Sequence, residues 1–424
     1  MEHDLVLEGK VVTPGGIEEF EVGVSDGRVK ELGHGLRGSR KIRIGRCLAF
    51  PGFIDMHVHL REPGWERKED FRTGTRAAIH GGVTTVVDMP NNPTPTDTRE
   101  VLEMKVRLAK EKALVDVKFY GGIPRANPQA LERLSRGVVG YKLYLSETTG
   151  AKPFPEEELS GVFRMVAATT KPLSVHCEDQ AVIDIMKSKL HNEIRPDLHC
   201  DIRPPEAETR SVEKVVAALR EVKDLETNIC HASVGETLSI VKSARTEGME
   251  VRCEAALHHM YFNRKAVFDN SLLKTNPPLR GEGDRQALVA GLSDGRVSFL
   301  VTDHAPHLIE EKESEGLAGV PGLDDYSHVV AWLIRNQEVS PLTLARAAST
   351  NPASHLGMND RGEISPGKRA DFSVLDLHSP EIVRKDDVRS RCGWSPYEGK
   401  EFPGRARWVI CEGEVLMDDF ELIR

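Results

Sequence analysis

Two histidines two residues apart, His57 and His59, end the apolar part of the stretch from Pro51 to Gly64, which reads PGFIDMHVHLREPG. Phe53, Ile54, Met56 and Val58 give the pattern of a strand buried on both sides, and Arg61 stands at the turn beyond it. Residues i and i+2 of a strand face the same way, so both imidazoles leave one edge together and can bind one metal ion. Two hydrogen-bonded polar histidines at a strand end would give the same pattern, so further ligands must decide.

Those ligands depend on the elements that would carry them. Downstream, apolar strand-like runs alternate with amphipathic helical segments, which implies parallel strands joined by right-handed crossovers. Eight strands are expected: Gly52 to His57, Thr84 to Met89, Val115 to Gly121, Val138 to Leu145, Leu173 to His176, Asn228 to His231, Met249 to Glu254 and Val297 to Asp303. Eight suggests an α/β fold closed as a (β/α)8 TIM-type barrel, in which functional side chains come from the carboxyl ends of the strands. Metal-competent side chains sit at that end of strand one (His57, His59), four (Lys142, if modified), five (His176), six (His231) and eight (Asp303). A chance scatter of 16 histidines would not sort itself to one end of a barrel. His80 lies in a helical run, and His3, His34, His191, His199, His328, His355 and His378 sit away from strand ends, so solvated or capping roles are expected. His258 and His259 follow strand seven and could stand behind the ligands. His304 should point away from Asp303, whereas His307 falls on the loop over the site, where it could donate to an anionic substrate.

A barrel of residues 51–362 leaves both chain ends. Residues 1–50 read as short strands with Asp26-Gly27 as a hairpin turn, and residues 363–424 again alternate like strands, so the two ends are expected to pack as one small β-sandwich. Hydrophobic content of 39% with 29% charged residues describes a globular protein, and no apolar run approaches the ~20 residues of a membrane span. The first residues lack a secretory signal, and seven scattered cysteines without a C-x-x-C pair argue for reduced thiols, so the expected compartment is cytoplasmic. A net charge of −9 disfavours nucleic acid and anionic membrane as partners. The acidic stretch Glu310 to Glu315 reads as a solvated lid.

HVHLREPG, MPNNPTPT around Asn91, GYKLYLSETTG around Lys142, KTNPPLR around Asn276 and TDHAPH around Asp303 together resemble the dihydroorotases of the cyclic amidohydrolase group, over nearly the whole chain. The lysine-containing form is similar to the dihydroorotase domain of the animal pyrimidine-synthesis multienzyme. The resemblance implies a binuclear zinc centre that closes N-carbamoyl-L-aspartate reversibly to L-dihydroorotate with loss of water. It implies that His57, His59 and Asp303 hold one metal and His176 and His231 the other, with a carboxylated Lys142 as bridge and Asp303 as general acid and base on the bridging hydroxide. It also implies Arg61, Asn91, Asn276, His307 and Thr148 as substrate contacts. Thr149 departs from the Thr-Phe of the animal loop, which leaves its role open. Association with a second copy or with aspartate carbamoyltransferase belongs to the same expectation. Hydantoinases and allantoinases share the metal set, and a non-catalytic structural partner is the alternative of a different class.

The residues suit this chemistry in their own right. Hydrolysing an unstrained ring amide needs a strong nucleophile and a polarised carbonyl, which two metals ~3.5–4 Å apart supply. Two dications, a hydroxide, an aspartate and a lysine carbamate leave about one net positive charge, to which Arg61 adds another, so the site favours an anion. A plain lysine at position 142, within an apolar strand, would be repelled by two dications, whereas its carbamate would bridge them. Cys230 and Glu254 match positions of an extra zinc site in the animal domain, shared with His57. Neighbours on a strand face opposite ways, so a buried thiol beside His231 and a carboxylate behind the ligands is the reading preferred here.

Overall fold

Every side chain from Phe53 to Val58 is buried, so strand pairing on both edges is how this stretch satisfies its amides out of reach of water. The computed structural model describes residues 2–124, 128–222 and 224–423. Its strands run β1 (Glu2–Thr13), β2 (Gly16–Ser25), β3 (Arg28–Gly33), β4 (Arg37–Pro51), β5 (Phe53–Val58), β6 (Val83–Asp88), β7 (Asp116–Gly122), β8 (Gly140–Tyr144), β9 (Leu173–His176), β10 (Thr227–Ile229), β11 (Val251–Ala256) and β12 (Phe299–Val301), followed by β13 (Phe372–Asp376), β14 (Glu381–Ile382), β15 (Glu401–Phe402), β16 (Arg405–Cys411), β17 (Glu414–Asp418) and β18 (Glu421–Leu422).

Strands β5 to β12 pair in parallel and in chain order, which is the expected eight-stranded barrel. The seam between β12 and β5 is closed past the short last strand: Val58 bridges His304, and the His59 amide donates to the His304 carbonyl at 2.8 Å. Asp55 seals the seam, accepting the Thr302 amide at 3.2 Å and also its hydroxyl. Burial pushes its carboxyl up to about 7.

The two chain ends form a second eight-stranded sheet in the order β18-β17-β16-β13-β4-β1-β2-β3. It curls over on itself, since Val29 of β3 and Val415 of β17, far apart in that order, share one core. Strand β4 shows how this sheet docks on the barrel: Leu48 and Phe50 enter the barrel's outer core while Cys47 and Ala49 face the other way. The β2–β3 hairpin turns on Asp26 (φ 52) and Gly27 (φ 69), both left-handed as a two-residue turn of this type requires. No helix is long and apolar enough to cross a membrane among the described residues.

Several histidines expected in solvated or capping roles are buried: His3, His80, His328 and His355 are all 5% exposed or less. Each is covered by a segment distant in sequence, as where Asp324 lies 3.4 Å from His80 and Glu226 lies 3.3 Å from His355. His34, His191 and His378 are exposed.

One buried ion pair sets the mouth of the barrel. Asp88, at the end of β6, accepts the Leu60 amide at 2.8 Å and pairs with Lys105, both acid and base being fully buried. Leu60 lies between His59 and Arg61, so this pair fixes the backbone from which both project. Lys105→Met should lower stability by about 3–5 kcal/mol, because it strands a buried carboxylate. Adding Asp88→Asn should recover part of that loss. Urea unfolding of the three proteins checks this, and an unchanged midpoint for the single variant would contradict it.

Candidate metal centre

The barrel strand that carries the first histidines changes parity on the way to its end. Ile54 and Met56 point into the inner core, whereas His57 and His59 line the mouth, and the pairing with β6 shifts register between Asp55 and Val58. His57 Nε2 and His59 Nε2 each lie 3.4 Å from Asp303 Oδ1. Lys142, in the middle of β8, is 1% exposed and brings Nζ to 3.4 Å from His57 Nε2 and 2.7 Å from Cys230 Sγ. His176 and His231 meet at 2.9 Å, Nδ1 to Nε2. All six expected ligands therefore converge at the carboxyl end of the barrel.

Carboxylates behind the imidazoles set which nitrogen faces inward. Glu254 hydrogen-bonds His57 Nδ1, takes the His231 amide at 3.0 Å and is itself held by the Asn228 amide at 2.7 Å. Glu178 accepts from His176 Nε2 at 3.0 Å and is clamped by Arg203. With those protons committed outward, the His57 Nε2 and His176 Nδ1 lone pairs point into the cavity. Burial, then the charge of Lys142, pushes His57 down to about 4. Burial likewise holds His59 and His231 well below the ordinary range and lowers His176, so four neutral imidazoles stand ready to donate electron pairs. Against the pull of burial, Arg203 and His176 hold Glu178 down to about 2. Asp303 is pushed well up by burial despite the counter-pull of Lys142, a balance that a dication would reverse.

Neutral imidazoles, a carboxylate and a thiol in a buried pocket form a donor set suited to zinc or a similar transition metal. His57, His59 and Asp303 offer three ligand atoms within 4.8 Å of one another, and so do His57, Cys230 and Glu254. Strand β10 has ended at Ile229, so Cys230 and His231 are freed from strict alternation and both turn toward the site. That removes the geometric objection drawn from the sequence. Among the described residues Lys142 has no carboxylate within ion-pair distance, although it is buried.

Backbone strain collects at the same place. Arg61 (φ 61), His231 (φ 33) and Asp303 (φ 48) are all left-handed without being glycine. Each such residue costs on the order of 1–3 kcal/mol, and such strain clusters where side-chain aim matters more than backbone comfort.

The cavity over the cluster is also lined by Arg61, Asn91, Thr148, Thr149 and Asn276, so the open question of Thr149 resolves to a place on the wall. Asn91 donates to the Thr149 carbonyl at 2.7 Å. The turn holding both threonines requires Gly150, whose φ is +74 and whose Cβ would lie 2.4 Å from the Asn91 carbonyl oxygen. His307 lies off the wall, behind Arg61. Its Nε2 is 3.3 Å from Arg61 Nη2 and 3.2 Å from the Ala318 carbonyl, while Nδ1 is 3.2 Å from Lys68 Nζ. Lys68 donates to Nδ1, which leaves Nε2–H for Ala318.

Sequence reasoning missed Gly319 on the wall, and His199, whose Nε2 reaches Asn276 Oδ1 at 2.8 Å, and set Tyr144 on the mouth-facing side of its strand without giving it a role. Tyr144 is two residues beyond Lys142 on the same strand face; the other two depend on loop contacts. The presumed lid is helical from Ile309 to Glu315 and only half solvated, because Lys312 is buried and donates to the Gly319 carbonyl at 2.6 Å. Burial, with Lys274 beside it, pushes Lys312 down to about 7.

The Amidohydrolase family profile matches residues 48–416. A dihydroorotase of Methanothermobacter thermautotrophicus is 33% identical over 409 residues, covering 95% of this chain and 92% of that protein. An allantoinase of Rubrobacter xylanophilus is 31% identical over 436 residues, covering 98% of this chain and 94% of that protein. Among solved structures, the L-hydantoinase (dihydropyrimidinase) from Arthrobacter aurescens superposes with a TM-score of 0.96 at 23% identity over 100% of this chain and 98% of that one, a likeness of fold.

Metal removal gives a direct check on the cluster. Zinc added to chelator-stripped protein should raise the unfolding temperature, by the equivalent of about 2.7 kcal/mol at a hundredfold excess over Kd. In His231→Ala the gain should shrink or vanish. Equal stabilisation of both proteins would place the metal elsewhere.

Proposed function

The chain belongs to the amidohydrolase family, and within it we propose that this hydrolase is a dihydroorotase, interconverting N-carbamoyl-L-aspartate and L-dihydroorotate plus water. One observation carries the choice of substrate. The Arg61 guanidinium is 3% exposed on the cavity wall, donates from Nε to the Pro306 carbonyl at 3.2 Å, and among the described residues has no carboxylate within ion-pair distance. Burial, eased by the charge of Asp303, pulls it down to about 10, so it remains a cation at neutral pH. A buried cation without a counter-ion is costly unless a ligand supplies one. Dihydroorotate and carbamoyl aspartate carry such a carboxylate; hydantoin and allantoin rings do not.

In this reading two zinc ions would be held by His57, His59 and Asp303 on one side and His176 and His231 on the other, with carboxylated Lys142 between. When bound they would supply an activated water at neutral pH and polarise the ring carbonyl. The rest falls to the protein. Arg61 takes the substrate carboxylate, Asn91 and Asn276 fix the ring amides, and the turn of Thr148 and Thr149 covers the face opposite the imidazoles. Asp303 Oδ1 accepts the proton of the attacking water and returns it to the leaving ring nitrogen; in the direction of ring closure the same proton runs back. His307 acts through Arg61. For Lys142, carboxylation joins Nζ of the neutral amine to the carbon of carbon dioxide with loss of one proton, and turns an uncompensated buried base into an anion.

A spectrophotometric dihydroorotate assay on metal-quantified protein, run beside allantoin and hydantoin, tests the function. Faster turnover of either neutral ring would sink it. Arg61→Met should raise KM for dihydroorotate about ten- to hundredfold, the loss of a charge-assisted contact of ~1.5–3 kcal/mol. Lys142→Ala should abolish activity and deplete zinc, and short carboxylic acids given with zinc should restore part of both; full activity in that variant would refute the bridge.

A further inference from the structure

Residues 383–400 form a strap that leaves the terminal region between the paired strands β14 and β15 and crosses to the barrel mouth. Its tip ties two loops together. On the loop after β12, Asp324 accepts the Arg389 amide at 2.8 Å and the Ser390 amide at 3.0 Å, and Asp325 accepts the Ser395 hydroxyl at 2.6 Å. On the loop after β5, Arg391 donates to the Glu66 carbonyl at 2.9 Å and pairs with Asp70.

At the centre of the tip is Trp394, 3% exposed and packed with Val320 and Cys392. Its indole Nε1 donates to the His307 carbonyl at 2.8 Å. The preceding carbonyl, that of Pro306, is the one that receives Arg61 Nε at 3.2 Å. Two consecutive peptide groups are thus gripped from opposite sides, by the indole and by the guanidinium. Since Arg61 has a left-handed backbone and, among the described residues, no carboxylate within ion-pair distance, its aim rests on where the 306–307 segment stands.

We infer that Trp394 is a positioning residue for Arg61, so that the strap from the terminal region sets the grip on the substrate carboxylate. The inference rests on the functional reading only for the identity of that substrate. It predicts a selective change: Trp394→Phe keeps an aromatic ring in the apolar cluster and removes one hydrogen bond, and so should raise KM for dihydroorotate about three- to tenfold with kcat, zinc content and unfolding temperature close to wild type. In an Arg61→Met background the same replacement should add nothing further to KM.

Hydrogen exchange on the zinc-loaded full chain gives a second reading that needs no substrate: amides of residues 303–305 and 307–309 should exchange faster in Trp394→Phe. Faster exchange with a raised KM supports the brace. Faster exchange in a protein whose wild type ignores dihydroorotate supports the brace and removes the functional reading. Unchanged exchange with unchanged KM overturns the brace. So does a fall in kcat that tracks lost zinc, or a KM effect that persists undiminished in the Arg61→Met background.

Discussion

A lysine buried beside histidines, with no carboxylate within ion-pair distance among the described residues, is the constraint around which this structure is built. Lys142 enters the mouth from the middle of β8, and its neighbours there are His57 Nε2 and Cys230 Sγ. An ammonium in such a place loses its water and, among the described residues, has no carboxylate within ion-pair distance, a cost of several kcal/mol that a fold cannot carry without a use for it. Carboxylation together with metal binding, as proposed, would remove the cost from both sides at once. The imidazoles are already neutral because they are buried, the carboxylates behind them hold their protons outward, and the site lacks only positive charge for its lone pairs.

The barrel supplies the rigidity that this arrangement demands. Three residues at the mouth, Arg61, His231 and Asp303, sit in left-handed backbone, and the surrounding framework has to over-determine them. It does so with buried polar contacts close by: Asp88 on the Leu60 amide, Asp55 across the seam to Thr302, and Glu254 on the His231 amide. Arg61 and Lys142 are opposite cases of one rule. Both are buried bases that, among the described residues, have no carboxylate within ion-pair distance, but a guanidinium stays charged and suits an anion, whereas an amine can be converted into one.

Much of this was legible in the sequence, for a physical reason. Parallel strands buried on both faces leave long apolar runs, and polar residues near their carboxyl ends stand out where apolar ones are expected; His57, His59, Lys142, His176, His231 and Asp303 stood out this way, and the fold brings them together. What could not be read depends on contacts between distant segments. His80 looks solvated until Asp324 is brought against it, and His328 until Phe402 is. His307 looks like a wall residue until Lys68 and Ala318 are seen to occupy its two nitrogens. The rule that neighbours on a strand face apart does not reach Cys230, because β10 ends two residues earlier than the pattern suggested. Trp394 gave no local signal, since its partner is 87 residues away.

Anomalous diffraction at the zinc edge, from crystals of enzyme first shown to be active and metal-loaded, bears most directly on the site. It should give two peaks, one between His57, His59 and Asp303 and one between His176 and His231, with added planar density on Lys142 Nζ reaching both. A bare amine at Lys142 in such a crystal, or a single peak with full activity, would contradict the bridged centre and require another carboxylate to join the metals.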